Sequence, residues 1–504
     1  MTKLSLNMIV KNEETNLARA LQSVKNVVDE IVIVDTGSTD KTKAIAKSFN
    51  AKVFNFEWTN NFSAARNYAL EKSEGDWIIY LDADEELSTG SVNELRKIIQ
   101  GKPAGINCLV QSLGQDYNLS GIMKFPRLFP LDNKIRFSGR VHEQIEPSLI
   151  KNNFLIKDSA IKIIHYGYAS SEDIIMKKLE RNLDLLLRED DKKLNVYDLF
   201  RIGQTAYSLK YFRIAERYFQ RMLNFRNADK KYTGQALMYL ALMSYEDDKI
   251  QGAFNLAQQA YKVIPDKPYL NFILSLICLR LSDRERSLGY LIKAIDNNKS
   301  LILDKINSEN EIVVDQSDLI LRSLNLSKSL KHNNQIKILI KQLAIYFSDR
   351  YRIDKTTLSK LITGLMNDEP VFESEIKWIE KIITKSNIGP FLEMLKNYTQ
   401  EDEKILILYG LAGKFPESSL VKKSLAQYFE VSDMEKAIEY YNEALKLDAS
   451  DPAIYFHLIS LNLQRGNIGE VKRLYWNLEE KFDGKPQVKQ KINVLGKKLG
   501  KILH

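Results

Sequence analysis

The stretch Asp76-Trp77-Ile78-Ile79-Tyr80-Leu81-Asp82-Ala83-Asp84-Glu85-Glu86 sets an apolar, β-like run directly against four carboxylates. Neighbouring carboxylates repel one another unless a cation lies between them, and a hard divalent ion that also binds phosphate is the usual reason for the pattern. The alternative is an acidic first turn of a following helix, favoured by the helix dipole. Three similar runs come earlier: Leu4–Val10, Glu30–Val34 and Lys52–Phe56. Helix-like segments lie between them. Thr15–Val24 carries leucines and alanines at helical spacing, Thr39 is placed to cap Lys41–Phe49, and Ser63 is placed to cap Ala64–Lys72. Strand and helix alternating at this interval predict an α/β domain with a parallel sheet and right-handed crossovers. Such sheets bind ligands at the carboxyl ends of their strands.

From Glu172 onward the strand signal fades and the chain reads as paired amphipathic helices, an all-α second half. Small and bulky residues recur in one phase: Ala215, Phe219, Met222; Ala253, Ala257, Ala260; Ser287, Leu291, Ala294; Ala437, Tyr441, Ala444. The 34-residue step from Ala253 to Ser287 (287 − 253), with Pro265 after the first helix, resembles the tetratricopeptide repeat. Each such hairpin needs a neighbour to cover its apolar face. The expected division is 1–190 for the α/β domain, 191–300 and 401–504 for repeats, and 301–400 for helices whose repeat phase cannot be followed.

Composition narrows the function. The chain has 73 Lys plus Arg against 65 Asp plus Glu, a net charge of +8, and 44% hydrophobic residues, as in soluble globular proteins. Its basic residues are spread along its length, which argues against nucleic acid as a partner and against a polybasic membrane anchor. Cys108 and Cys278, both in apolar surroundings, can build neither a disulfide framework nor a thiolate cluster. Met1–Val10 lacks the pattern of a secretory signal. The apolar stretch Tyr269–Leu279 is far shorter than the roughly 20 residues of a membrane helix. A cytoplasmic protein without a membrane span is expected.

Two further motifs end the first two strands, Met8-Ile9-Val10-Lys11-Asn12-Glu13-Glu14 and Ile31-Val32-Ile33-Val34-Asp35-Thr36-Gly37-Ser38-Thr39-Asp40. A third, Ser63-Ala64-Ala65-Arg66-Asn67, opens a helix ahead of the Asp82 strand. In this order and spacing the four motifs resemble the family 2 glycosyltransferases of GT-A fold. The resemblance implies that Asp35 contacts the nucleotide base or ribose with Glu13 in the same pocket, and that Arg66 reaches the base or diphosphate. It further implies that Asp82 approaches the ribose and that Asp84 ligates a metal on the diphosphate. The plainer alternatives are that Asp35 caps the helix after the turn, that Arg66 is a surface ion-pair partner, and that Asn67 packs or caps.

Downstream lie Arg136-Phe137-Ser138-Gly139-Arg140-Val141-His142-Glu143-Gln144 and Ile163-Ile164-His165-Tyr166-Gly167-Tyr168. These are similar to the subgroup that includes lipopolysaccharide core glucosyltransferases and bacteriocin-modifying S-glycosyltransferases, and the likeness then spans residues 3–170. An inverting transfer needs a base for the acceptor and a cation for the departing diphosphate. Glu143 is the candidate base, as the carboxylate nearest the acceptor side in the motif order, with His142 the competing assignment; the Glu-Asp motif that supplies the base in many family 2 members is missing here. His165 completes a metal shell with Asp84 or hydrogen-bonds the diphosphate. Arg127, with Arg136 and Arg140, stabilises phosphate or orients the acceptor loop, or is solvated surface arginine. The expected activity is inverting transfer, dependent on Mg²⁺ or Mn²⁺, from a UDP-sugar such as UDP-glucose or UDP-N-acetylglucosamine. The acceptor is a protein or peptide recruited by the helical half, which is also a surface for homodimer formation. The alternatives are a repeat scaffold with a non-catalytic nucleotide-sugar domain, and an enzyme with a saccharide acceptor.

Overall fold

The computed structural model describes residues 2–114, 119–167, 172–226, 228–302 and 311–503. Strands β1 (Leu4–Val10), β2 (Glu30–Asp35), β3 (Lys52–Asn55) and β4 (Trp77–Tyr80) form where the apolar runs predict them. They lie in the order β3-β2-β1-β4, all parallel, with Val10 opposite Asp35 and Leu4 opposite Trp77. Residues of both faces of β1 and β4 are buried, which is why these strands read as continuous apolar runs. Helices α1 (Leu17–Val24), α2 (Thr42–Ser48) and α3 (Phe62–Glu71) make the crossovers.

Two caps differ from expectation. The Thr42 N–H is taken by Asp40 (3.0 Å), and Thr39 turns to Asn12 instead. At α3 the cap is Asn61, whose side chain accepts from Ala64 (3.1 Å), while the Ser63 hydroxyl donates to the Gly139 carbonyl.

The sheet is mixed, and not parallel throughout. Beyond β4 come β5 (Glu85–Leu87), α4 (Val92–Ile98), β6 (Gly105–Leu113), β7 (Leu119–Pro130), α5 (Glu146–Lys151) and β8 (Ile156–His165). The order continues β4-β7-β6-β8-β5, with β7 antiparallel to both β4 and β6, and β5 antiparallel to β8. Only residues 114–118 separate β6 from β7. That is enough for a hairpin, whereas a parallel return needs a crossover of about a dozen residues.

By its contacts the chain divides into two units, Met1–Tyr239 with Ser300–Val313, and Leu240–Lys299 with Val314–His504. The first unit therefore takes in α6 (Glu172–Leu187), α7 (Val196–Ser208) and α8 (Phe212–Leu223). In it Phe219 is fully buried, stacked on Tyr239 at 5.3 Å and tilted against Phe200 at 6.1 Å. This unit also contains β9 (Glu311–Ile312), antiparallel to β7, so the second half of the sequence is not free of strands.

The second unit is helical. The repeat phase read from the sequence is its core: Ala253, Ala257, Ala260, Ser287, Leu291, Ala294, Ala437, Tyr441 and Ala444 are all buried. Residues 316–396 fold into helices of 14, 19, 13, 10 and 9 residues. Unequal lengths explain why no period could be followed there, yet their apolar residues belong to one cluster running from Leu288 to Leu499. Among the described residues no helix is long and apolar enough to cross a membrane. Phe219→Ala should destabilise the first unit by about 3–5 kcal/mol, the usual range for emptying a buried aromatic site. Urea unfolding followed by tryptophan fluorescence tests this, and an unchanged midpoint would refute the packing described.

Candidate active site

The carboxyl ends of β1, β2 and β4 converge. After β1 the chain turns at Asn12 (φ +55°), whose side chain accepts from the Thr39 N–H, and the Glu13 N–H donates to Thr42 Oγ1 at 2.7 Å. Asp35 is 1% exposed and accepts the backbone N–H groups of Gly37 (3.2 Å) and Ser38 (3.1 Å), with Lys43 at 3.7 Å. These bonds hold its own turn and do not cap the helix that follows, Thr42–Ser48, whose N-cap is Lys41. Burial raises the pKa of Glu13 above the usual carboxylate value, against a hydrogen bond from Asn16.

Arg66 on α3 is the centre of the site. Its Nε lies 2.5 Å from Glu143 Oε1 and its Nη2 lies 2.5 Å from Asp82 Oδ1, with the guanidinium 4.8 Å from the Tyr80 ring centre. Only 6% of its side chain is exposed, so Arg66 is no surface ion-pair partner. Burial disfavours its charge, but Asp82 and Glu143 outweigh burial and hold its pKa above normal. Asp82 is likewise opposed by burial and yet held far below the carboxylate range by Arg66 and Arg127.

The loop that carries Glu143 is fastened to the start of α3. Phe62 N–H donates to Arg140 O (2.8 Å), Ser63 to Gly139 O, and Asn67 exchanges hydrogen bonds with both backbone groups of Phe137 (2.8 and 3.0 Å). The loop turns back on itself through Gly139 (φ +96°) and His142 (φ +56°). On its far side His142 meets Arg201 of α7 at 2.7 Å. Burial, Arg201 and Arg181 push the His142 pKa well down, so the imidazole is neutral.

A second buried pair lies beside Asp82. Arg127 of β7, between the rings of Tyr80 (4.4 Å) and Phe125 (4.6 Å), donates to Glu85 Oε1 at 2.7 Å. Glu85 in turn accepts the Asp82 N–H at 2.8 Å. Burial, with Asp82 nearby, pushes Glu85 up to about 7 despite Arg127. Arg127 is therefore no solvated surface arginine, and its Nε and Nη1 are buried without a hydrogen-bond partner, whereas Arg136 and Arg140 reach Glu71 (4.0 Å) and Glu189 (2.8 Å).

Asp84 and His165 come together because β5 pairs with the end of β8, placing Glu85 opposite His165. Asp84 Oδ2 lies 3.6 Å from His165 Nε2 and 3.7 Å from Lys178 Nζ of α6. Burial opposes both charges of the first pair. The attraction between the two nevertheless lowers the pKa of Asp84 and raises that of His165. A Cβ on Gly167 would stand 2.5 Å from His165 Nε2 and 2.8 Å from Asp84 Oδ2, so glycine keeps the space over this pair open. Among the described residues no three His, Cys, Asp or Glu side chains gather as a metal-holding group. Tyr168 of the same motif lies outside the described residues.

The family model of glycosyl transferase family 2 matches residues 5–139. Those residues are a family 2 glycosyltransferase domain. The chain is 30% identical over 269 residues to a TPR repeat-containing protein of Synechococcus elongatus, covering 52% of this chain and 66% of that one. It is 33% identical over 189 residues to the SPbeta prophage-derived glycosyltransferase SunS of Bacillus subtilis, covering 36% of this chain and 44% of that one. A structure of S. aureus TarS 1–349 with UDP-GlcNAc overlaps 61% of this chain and 93% of that one, at 14% identity and a TM-score of 0.29.

The first unit thus gathers Glu13, Arg66, Asp82, Asp84, Glu143 and His165 at one end of its sheet, while Asp35 bonds its own turn. Sequence reading did not select Glu85, Lys178 or Arg201. Glu85 stood in the acidic run, and the other two lie on helices with no motif to mark them. Arg66→Met should destabilise the protein by on the order of 3–5 kcal/mol, because two carboxylates lose their shared cation. Adding Glu143→Gln should recover part of that loss. Thermal melts of the single and double variants measure it, and additive losses would contradict the bridge.

Proposed function

We propose that the chain is an inverting glycosyltransferase that moves a sugar from a UDP donor to a protein or peptide acceptor. The observation that carries this reading is the bridge made by Arg66. It ties Asp82, on the donor side of the family 2 motif order, to Glu143 on the acceptor side, so both halves of a transfer reaction meet at one guanidinium.

On this reading Asp82 faces the ribose, and Glu13 and Asp35 shape the nucleotide end of the pocket, Asp35 by fixing its turn. Glu143 accepts the proton of the acceptor hydroxyl or thiol as that atom attacks the anomeric carbon and the bond to the diphosphate breaks. Arg66 holds Glu143 Oε1, which leaves Oε2 as the oxygen assigned to the proton. Neutral His142, engaged by Arg201, orients the loop. Asp84 and His165 are a two-donor set beneath an open space kept by Gly167, which fits a hard cation that takes its remaining ligands from phosphate and water. A Mg²⁺ or Mn²⁺ ion held there would offset charge on the leaving diphosphate.

The helical repeats, read from the sequence as 191–300 and 401–504, recruit the acceptor and pair subunits. Stacked hairpins provide an extended surface, and a repeat-containing relative aligns over half of the chain. With no helix suited to a membrane among the described residues, we place the protein in the cytoplasm.

Incubating the protein with UDP- and GDP-sugars, Mn²⁺ and candidate acceptor proteins, then reading intact mass, tests the proposal. A hexose or N-acetylhexosamine increment is expected, and no increment or donor hydrolysis across the panel would defeat it. Asp84→Asn should lower turnover by about 10²- to 10³-fold, the scale of losing one strong electrostatic contact, and excess EDTA should act in the same direction. Full activity in EDTA would remove the metal from the scheme. Glu143→Gln should leave UDP affinity intact while single-turnover transfer falls by roughly 10²- to 10⁴-fold. Near-normal transfer would dismiss Glu143 as the base.

A further inference from the structure

The positive charges around the carboxylates are unequally committed. Arg66 is shared between Asp82 and Glu143, and Arg127 is bound to Glu85. Both guanidiniums are buried and fixed. Lys178 differs in every respect: it is 44% exposed, it sits on a flexible four-carbon arm, and it stands 3.7 Å from Asp84 Oδ2, on the same oxygen that faces His165. An ion pair this open holds its partners weakly.

The helix that carries Lys178 is well placed. Arg181, one turn further along α6 and on the same face, lies over the Phe62 ring at 5.2 Å, and Glu189 just after α6 pairs with Arg140 of the Glu143 loop at 2.8 Å. The helix thus crosses the mouth of the site, between the start of α3 and the Asp84 turn. Glu13, Asp82 and Asp84 are close enough to influence one another electrostatically, and Lys178 acts on the same group. A diphosphate entering among three carboxylates needs compensating positive charge that can leave its present partner. A compact ammonium with three rotatable donors suits such an exchange better than a planar guanidinium already engaged on two sides.

We propose that Lys178 is a diphosphate-binding residue of the donor site, paired with Asp84 in the free protein and transferred to the diphosphate oxygens of a bound nucleoside diphosphate. The assignment rests on the reading of Asp84 and His165 as the diphosphate end of the donor pocket. It makes α6, outside the residues matched to the family, part of the donor site. It also sets Lys178 in competition with any divalent cation for Asp84 while the donor is absent.

Calorimetric titrations of the full chain separate these points. The probes are UDP at saturating Mn²⁺, uridine under the same conditions, and Mn²⁺ alone, each with wild type, Lys178→Met and Lys178→Arg. Lys178→Met should bind UDP about tenfold more weakly, uridine as the wild type does, and Mn²⁺ alone several-fold more tightly, as expected for loss of a charge-assisted contact and of a competing cation. Lys178→Arg should restore most of the UDP affinity. Equal UDP affinity in wild type and Lys178→Met overturns the proposal, as does an equal loss for UDP and uridine, or Mn²⁺ binding that is unchanged or weakened. Wild-type protein that binds UDP no better than uridine would instead defeat the donor-pocket reading itself. Thermal melts establish that the variants fold, and Lys178→Gln replaces Lys178→Met if the latter does not.

Discussion

A guanidinium cannot shed its proton inside a protein, so a buried arginine obliges the chain to surround it with acceptors. Arg66 imposes that obligation on two carboxylates from distant places in the sequence, Asp82 at 16 residues' separation and Glu143 at 77. The requirement couples the end of β4 to the loop before α5, which otherwise share no sheet pairing. It also explains why the first turn of α3 is tied to that loop through Phe62, Ser63 and Asn67. A loop whose carboxylate must reach a buried cation has one acceptable position, and these backbone contacts hold it there.

The same logic repeats one layer away. Arg127 needs an anion and has Glu85, which also accepts the Asp82 N–H. The result is an alternating series, Glu143, Arg66, Asp82, Arg127 and Glu85, of three carboxyl groups and two guanidiniums. Alternation keeps like charges apart while bringing five ionisable groups into a poorly hydrated region. Asp82 is partly open to water, but removing its charge or that of Glu85 leaves a buried guanidinium short of an anion, which is why such clusters resist substitution even when their net stabilisation is small. The site's shape is therefore set by electrostatic necessity as much as by the apolar core beneath it.

How much of this was legible in the sequence follows from the same physics. Strands buried on both faces are continuous apolar runs, so β1, β2 and β4 were visible along with the acidic turn after β4. The later strands were not, because β7 carries Lys124, Pro126 and Arg127, and arginine is so commonly exposed that burial between two rings leaves no local mark. The repeat helices announced themselves through small residues at fixed phase, Ala253, Ala257 and Ala260 for example, since close helix packing tolerates little else. Between residues 316 and 396 helix lengths vary twofold, so the period dissolved while the burial persisted. Motif reading found Asp82, Asp84 and His165 but had no access to Lys178, whose relevance depends on which way α6 crosses the domain.

The two ends of the site differ in how closely their charges are paired, and the difference has a chemical direction. At the Glu143 end each contact to Arg66 is 2.5 Å, the side chains of Arg66 and Glu143 are nearly closed off, and ring faces confine the guanidinium. At the Asp84 end the separations are 3.6 and 3.7 Å, Lys178 is half open to solvent, and Gly167 leaves room above the pair. Proton removal from an acceptor demands a base fixed in hydrogen-bond reach, and a displaced base loses its effect steeply. Diphosphate binding demands the reverse, because the same charges must accept the donor and then let the product go, and release is the slow step in many enzymes. On the proposed reading, a closely paired acceptor end and a loosely paired diphosphate end are the arrangement that a transferase turning over many donors requires. Exchanging the two would impair both tasks: a mobile Glu143 would miss its proton, and a buried, fixed cation at Asp84 would retain the product.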